Sequence, residues 1–211
     1  MNGMDREEYI EAHIDPEPRH LTDLNRRTQL YHLYGHMCSG HYQGRVLAML
    51  TRMIAPRRIL ELGAFTGYST LSMAEAMPAG ATLDTIEVND ESEKELRATF
   101  DASPRGADIT LHIGDALELL PGIPGQWDMV FIDANKRLYC DYYRMVFPRV
   151  PAGGYILADN TLWADKVLDP ESNHDAQTRG IIAFDDMIAA DTRVEKVILP
   201  LRDGLTLIRK K

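Results

Sequence analysis

The chain is short of cysteine, of basic residues relative to acidic ones, and of long apolar runs, and each shortage excludes a class of protein. Cys38 and Cys140 are the only cysteines among 211 residues. Two so distant thiols make no disulfide framework and are read as free thiols in a reducing compartment. No apolar stretch approaches the roughly 20 residues needed to cross a bilayer, and residues 1–14 are acidic and amphipathic without a signal-peptide core. The expected location is the cytoplasm. Against 32 Asp and Glu stand 23 Lys and Arg, a net charge of −9, which argues against broad non-specific affinity for nucleic acid. Repeats, low-complexity runs and linkers are also missing. One domain over 1–211 is expected, with 1–55 as an N-terminal helical extension and 56–211 as an α/β core.

What is present is a regular alternation of strand and helix signals. Residues 5–13, 20–34 and 45–54 have helical spacing, with 37–44 as a loop. Strands are predicted over 58–62, 82–88, 109–113, 127–133, 155–159, 194–199 and 205–209. Between them lie helices over 68–77, 90–101, 116–120, 135–147 and 178–190, with a polar loop over 160–177. Near-continuous apolar strands alternating with helices imply a mostly parallel sheet covered on both faces. The last two strands, joined only by the turn around Arg202-Asp203-Gly204, must be antiparallel.

The stretch Arg58-Ile-Leu-Glu-Leu-Gly-Ala-Phe-Thr-Gly-Tyr-Ser69 reads as strand, glycine turn, helix. It lacks the G-x-G-x-x-G of dinucleotide sites, because position 65 is Phe, so a pyrophosphate and an NAD-dependent dehydrogenase are disfavoured. The remaining Glu61-x-Gly63-x-x-x-Gly67 suits a ligand with an amine and an adenosine but no phosphate, such as S-adenosylmethionine; an ordinary tight turn is the other reading of this stretch alone. Acids recur at the strand ends, where open parallel sheets bind ligands. Glu87, 24 residues past Gly63, is spaced to grip ribose hydroxyls. Asp115 and Ala116 would border an adenine, with a helix cap as a live reading of Asp115 and the better one of Asp90. Phe65 and Tyr68 are core or pocket wall. Asp133, Asp159 and Asn160 make an all-oxygen set from two neighbouring strand ends, suited to Mg²⁺ or Ca²⁺ and not Zn²⁺. His112 and His174 stand in other segments. Lys136, one turn past Asp133, is on the sequence alone a solvated surface Lys; beside a divalent cation its pKa falls and it becomes a candidate general base.

These motifs, together with Met37, Gln43-Gly44, Asp133-Ala-Asn-Lys136 with Tyr139, Asp159-Asn-Thr-Leu-Trp163 and Gly204-Leu-Thr-Leu-Ile-Arg209, resemble the cation-dependent class I O-methyltransferases. That group contains the caffeoyl-CoA and catechol O-methyltransferases and their bacterial relatives. The resemblance runs from about residue 20 onward. It implies a Rossmann-like seven-stranded methyltransferase sheet with its last strand antiparallel, and a homodimer as in the bacterial branch. It further implies S-adenosylmethionine contacts from Met37, Glu61, Gly63, Phe65, Ser69, Glu87, Asp115, Ala116 and Asp133. The implied metal ligands for Mg²⁺ (or Ca²⁺ or Mn²⁺) are Asp133, Asp159 and Asn160, and Lys136 is the implied catalytic base. Two positions depart from the pattern. Asn135 replaces the second Asp of the plant motif, removing a carboxylate near the metal, and Ala134 stands where animal catechol enzymes carry His. The expected reaction is methyl transfer to a small vicinal diol. A hydroxylated uridine in a tRNA loop is the second acceptor, with Arg19, Arg26, Arg27 and Arg45 as a patch for it. A methyltransferase fold kept only as a binding or dimerisation module is disfavoured by the intact set Asp133, Lys136, Asp159 and Asn160.

Overall fold

The apolar strand segments pair into a single sheet. The computed structural model describes residues 5–171 and 175–211. Among these, seven strands, β1 (Arg58–Leu62), β2 (Thr82–Glu87), β3 (Ile109–Ile113), β4 (Met129–Ile132), β5 (Tyr155–Asp159), β6 (Val194–Leu199) and β7 (Leu205–Lys210), lie in the order β3-β2-β1-β4-β5-β7-β6. β1 to β5 pair in parallel, and β7 runs antiparallel to both β5 and β6. The exposed edge β6 carries Glu195 and Lys196, charges that discourage edge-to-edge pairing.

Eight α-helices flank the sheet: α1 (Arg6–Glu11), α2 (Arg19–Tyr31), α3 (Gly40–Ile54), α4 (Tyr68–Ala74), α5 (Glu93–Asp101), α6 (Ala116–Leu119), α7 (Tyr139–Val146) and α8 (Ala176–Ala190), among the described residues. The period of two along each strand divides the core. Leu60, Leu62, Val130, Ile132 and Ile156 face Tyr139, Tyr143, Phe184 and Ile188 of α7 and α8. Ile59, Met129, Phe131 and Leu157 face Leu47 of α3 with Met73 and Ala74 of α4. Leu21 and Leu24 of α2 pack with Ala64, Tyr68 and Leu71, so the N-terminal helices share the core of the α/β body. Trp127, fully buried, has the Arg149 guanidinium 4.0 Å and the Arg58 guanidinium 5.6 Å from its ring centroid.

Several boundaries differ from those predicted. The helix expected over 20–34 stops at Tyr31, and a 3₁₀ turn follows at Gly35–Met37. α3 starts at Gly40 and not Arg45, which puts Gln43, Leu47 and Thr51 on one buried face at i, i+4 spacing. Asn89, not Asp90, supplies the side-chain cap of the next turn by accepting from the Glu91 N–H. The segment 135–147 divides into a 3₁₀ turn at Lys136–Leu138, capped by Asn135, and α7.

Candidate active site

The carboxyl ends of β1 to β5 open onto a cavity of ≈ 720 Å³. At its centre the chain leaves β1 through three left-handed residues, Gly63 (φ 98°), Phe65 (φ 51°) and Gly67 (φ 89°), before α4 begins. A Cβ on Gly63 would lie 2.0 Å from the Asp133 carbonyl oxygen, so only glycine lets β1 and β4 turn this closely. Glu87, at the end of β2, accepts from the Phe65 N–H at 2.8 Å and from the Asn89 N–H at 2.9 Å. It thereby fixes the turn while lining the cavity. Asp115 follows β3 and accepts from the Leu117 N–H at 2.7 Å, so the capping reading of this residue holds; it and Ala116 also line the cavity.

The other end is acidic. Ile132 and Ala158 are register partners, which places Asp133 and Asp159 at adjacent strand ends. Lys136 Nζ donates to Asp133 at 2.6 Å and to the Tyr139 hydroxyl at 2.9 Å, and that hydroxyl donates to the Asp159 carbonyl oxygen at 3.0 Å. The expectation of a solvated Lys136 is thus corrected: it is 7% exposed, because the 3₁₀ turn folds it back between the strand ends. Burial lowers its pKa, but the Asp133 charge and Tyr139 raise it more, and the ammonium is held charged. Asp159 has the opposite problem. Burial first, then the Asp133 charge, push its pKa up to about 7 against the opposing pull of Lys136 and the Gln43 amide, which donates at 2.6 Å. Of the two adjacent carboxylates, Asp133 is paired with the lysine and Asp159 is bonded to the Gln43 amide. Asn160 follows in the left-handed region (φ 59°). Among the described residues no three His, Cys, Asp or Glu cluster as a metal site, so the hard donors here are two carboxylates and an amide.

A family model described as O-methyltransferase matches residues 10–211. The chain belongs to that family. This O-methyltransferase is 32% identical over 208 residues to caffeoyl-CoA O-methyltransferase 2 of Zea mays, covering 92% of the present chain and 77% of the maize protein. The O-methyltransferase TomG of Streptomyces achromogenes, solved with S-adenosylmethionine, superposes with a TM-score of 0.88 at 27% identity, covering 96% and 94% of the two chains. An O-methyltransferase from Bacillus cereus, solved with S-adenosylhomocysteine, gives a TM-score of 0.88 at 25% identity and 96% coverage of each chain. The enzyme is an S-adenosylmethionine-dependent O-methyltransferase.

Of the residues the sequence singled out, the O-methyltransferase brings Met37, Gly63, Phe65, Ser69, Glu87, Asp115, Ala116, Asp133, Lys136, Asp159 and Asn160 to the cavity wall. Glu61 is placed differently. Its carboxylate, 0% exposed, lies behind the wall and accepts from the hydroxyls of Ser69 (2.6 Å), Thr85 (2.6 Å) and Thr70. Its side chain points to the α4 face of β1, so it orients Ser69 and does not itself line the cavity. Arg27 pairs with Glu95 and Arg45 with Asp15, and none of Arg19, Arg26, Arg27 and Arg45 lines the cavity itself. His112 pairs with Asp84, away from the acids; His174 and positions 172–173 of the 160–177 loop lie outside the described residues. Sequence reasoning missed Gln43 as a partner of Asp159 and Thr70 and Thr85 as partners of Glu61. A polar residue on the apolar face of a helix, at i, i+4 spacing from Leu47, was the signal for Gln43.

Burial pushes the Glu61 carboxyl up to about 7 despite its three hydroxyl donors. The folded state then binds this proton more tightly than the unfolded chain, and stability falls as pH rises from about 4.5 through 7. In Glu61→Gln this loss is absent. Between pH 4 and pH 8 the wild type should lose on the order of 3 kcal/mol more unfolding free energy than the variant. Urea titrations at the two pH values measure it, and equal slopes would rule out the buried-acid account.

Proposed function

We propose that this O-methyltransferase moves the methyl group of S-adenosylmethionine to one hydroxyl of a small catechol-like vicinal diol, with a divalent cation held by Asp133, Asp159 and Asn160. The observation that carries this reading is the pair of carboxylates at adjacent strand ends, one of them bonded to Lys136, in the same cavity as the glycine turn and Glu87. Two carboxylates and an amide, oxygen donors only, are the chemistry that takes Mg²⁺, Mn²⁺ or Ca²⁺. When bound, such an ion supplies Lewis-acid polarisation of a hydroxyl oxygen.

The chain's own residues do the rest. Met37, Gly63, Phe65, Ser69, Glu87, Asp115 and Ala116 are assigned to the donor, with Asp133 reaching it from the metal side. The bare backbone at Gly63 admits the sulfonium end, Glu87 retains lone pairs for ribose hydroxyls, and Ala116 leaves room for the adenine. The relatives solved with S-adenosylmethionine (Streptomyces achromogenes) and with S-adenosylhomocysteine (Bacillus cereus) support this half of the assignment. With a cation beside it the Lys136 pKa would fall, and the neutral amine, its own proton first released to solvent, would accept the hydroxyl proton at Nζ. Trp163, whose indole N–H is buried without a partner on the acid side of the cavity, forms a wall there for the acceptor. Much of the gain comes from holding donor and acceptor in line.

Lys136→Ala is expected to lower kcat by about 10²–10⁴-fold while S-adenosylmethionine affinity stays near that of the wild type. Loss of donor binding would make the lysine structural. Transfer from labelled donor to catechols and to hypomodified tRNA, each with Mg²⁺ and with EDTA, tests the whole reading. Catechol methylation abolished by EDTA supports it, and transfer to tRNA alone overturns the acceptor. We further assign the enzyme to the cytoplasm, consistent with no described helix being long and apolar enough to cross a membrane. We also assign it a homodimeric state, supported by the exposed Tyr31, Leu33 and Met53 and tested by sedimentation.

A further inference from the structure

The turn between β6 and β7 lies beside the end of β5, where Leu205 is the register partner of Asp159. Arg202 stands in that turn at φ 46°, a left-handed conformation that costs free energy for any residue with a Cβ. Its guanidinium Nη1 donates to three oxygens: the Cys38 carbonyl at 3.2 Å, the Ser39 carbonyl, and Gln43 Oε1 at 3.0 Å. Gln43, on the first turn of α3, is 2% exposed, and its Nε2 donates to Asp159 Oδ2 at 2.6 Å. A guanidinium has donors only, so it dictates which way the Gln43 amide faces: Oε1 toward Arg202 and the amino group toward Asp159. Asp159 itself lines the cavity, with its Oδ2 held by that amino group.

We propose that Arg202 and Gln43 are positioning residues that hold Asp159 in its cation-binding orientation. This rests on the cation reading of Asp133, Asp159 and Asn160. Arg202 acts through Gln43 and touches neither donor nor acceptor in this role. The same guanidinium ties down the carbonyls of the 38–39 segment next to Met37, so one side chain joins the donor wall to the metal end. A strained backbone at a position that glycine would occupy without strain fits a residue kept for its side chain.

The test is Mn²⁺ binding to the full-length protein without donor or acceptor, followed by the electron paramagnetic resonance of free Mn²⁺. Asp159→Ala is the reference for a lost site, and circular dichroism checks each fold. Arg202→Gly removes the guanidinium and suits the left-handed turn, Gln43→Met removes the amide at similar size, and Arg202→Lys restores a donor. Outer partners of metal ligands typically matter by 10–100-fold, so Arg202→Gly and Gln43→Met should each weaken Mn²⁺ affinity about 10-fold or more. Arg202→Lys should recover most of that loss. The double variant should bind no more weakly than Gln43→Met alone, since the arginine acts through the glutamine. A merely structural latch would instead lower thermal stability and leave Mn²⁺ affinity unchanged, which would overturn the proposal, as would additive losses in the double variant. If Arg202→Gly does not fold, the Gln43→Met and Arg202→Lys affinities decide. Wild-type protein that binds Mn²⁺ no better than Asp159→Ala would overturn the cation reading and this inference together. That outcome is distinct because it needs neither Arg202 nor Gln43 to be changed.

Discussion

Asp159→Ala is expected to lower cation-dependent methyl transfer by about 10²–10³-fold, the scale on which loss of one preorganised charge is felt at a reacting centre. Asp133→Ala should behave similarly. Without Asp159 the acidic end keeps one carboxylate, already bonded to Lys136 at 2.6 Å, so little net negative charge remains to hold a divalent ion. The fold should survive. Burial and the neighbouring Asp133 raise the Asp159 carboxyl to about 7, so its ionisation costs stability as pH rises from the ordinary carboxylate range through 7. Removing it removes that cost. Donor affinity should stay within a few-fold of wild type, since the glycine turn and Glu87 are untouched. Turnover with and without EDTA, beside a donor titration, checks the expectation; EDTA-sensitive turnover at the wild-type rate would refute a metal role for Asp159.

Gly63→Ala should damage both ends of the cavity at once. The added Cβ would sit 2.0 Å from the Asp133 carbonyl oxygen, and φ is 98° at this position. Neither side yields cheaply. The Gly63 N–H donates to the Ile86 carbonyl at 2.9 Å, and the Asp133 N–H donates to the Leu62 carbonyl at 2.9 Å, so separating the two backbones breaks the joined ends of β1, β2 and β4. A clash with immobile backbone plus an unfavourable φ costs about 3 kcal/mol or more, a fall in Tm of roughly 6–12 °C for a chain of this size. S-adenosylmethionine should fail to protect the variant in thermal melts. A Tm and donor-induced shift equal to the wild type's would mean the strand ends separate without cost.

Most of the architecture was legible because it depends on local signals. The strand signals at 58–62, 82–88 and 155–159 and the short Arg202-Asp203-Gly204 connection fix strands, parallel pairing and the antiparallel close. Strand-end acids were legible for the same reason: parallel strands all finish at one edge of the sheet, so their terminal residues gather there. Side-chain direction was not. Glu61 stands one residue before Leu62, and the pleat turns it to the α4 face, where three hydroxyls surround it. Burial of Lys136 depends on a 3₁₀ turn where helical spacing suggested a continuous helix. Arg202 and Gln43, 159 positions apart in the chain, meet only because β7 inserts between β5 and β6.

The two tryptophans sit in different environments, and this divides what the protein's fluorescence reports. Trp127 is sealed in the core with two guanidinium groups near its ring, so its emission follows global unfolding. Trp163 borders the cavity, with the Lys136 ammonium 5.9 Å from its ring centroid. With Trp127 replaced by Phe, the chain keeps a single indole. Quenching or a spectral shift of that indole then registers ligand arrival at the acidic end in real time, without a label and without waiting for turnover.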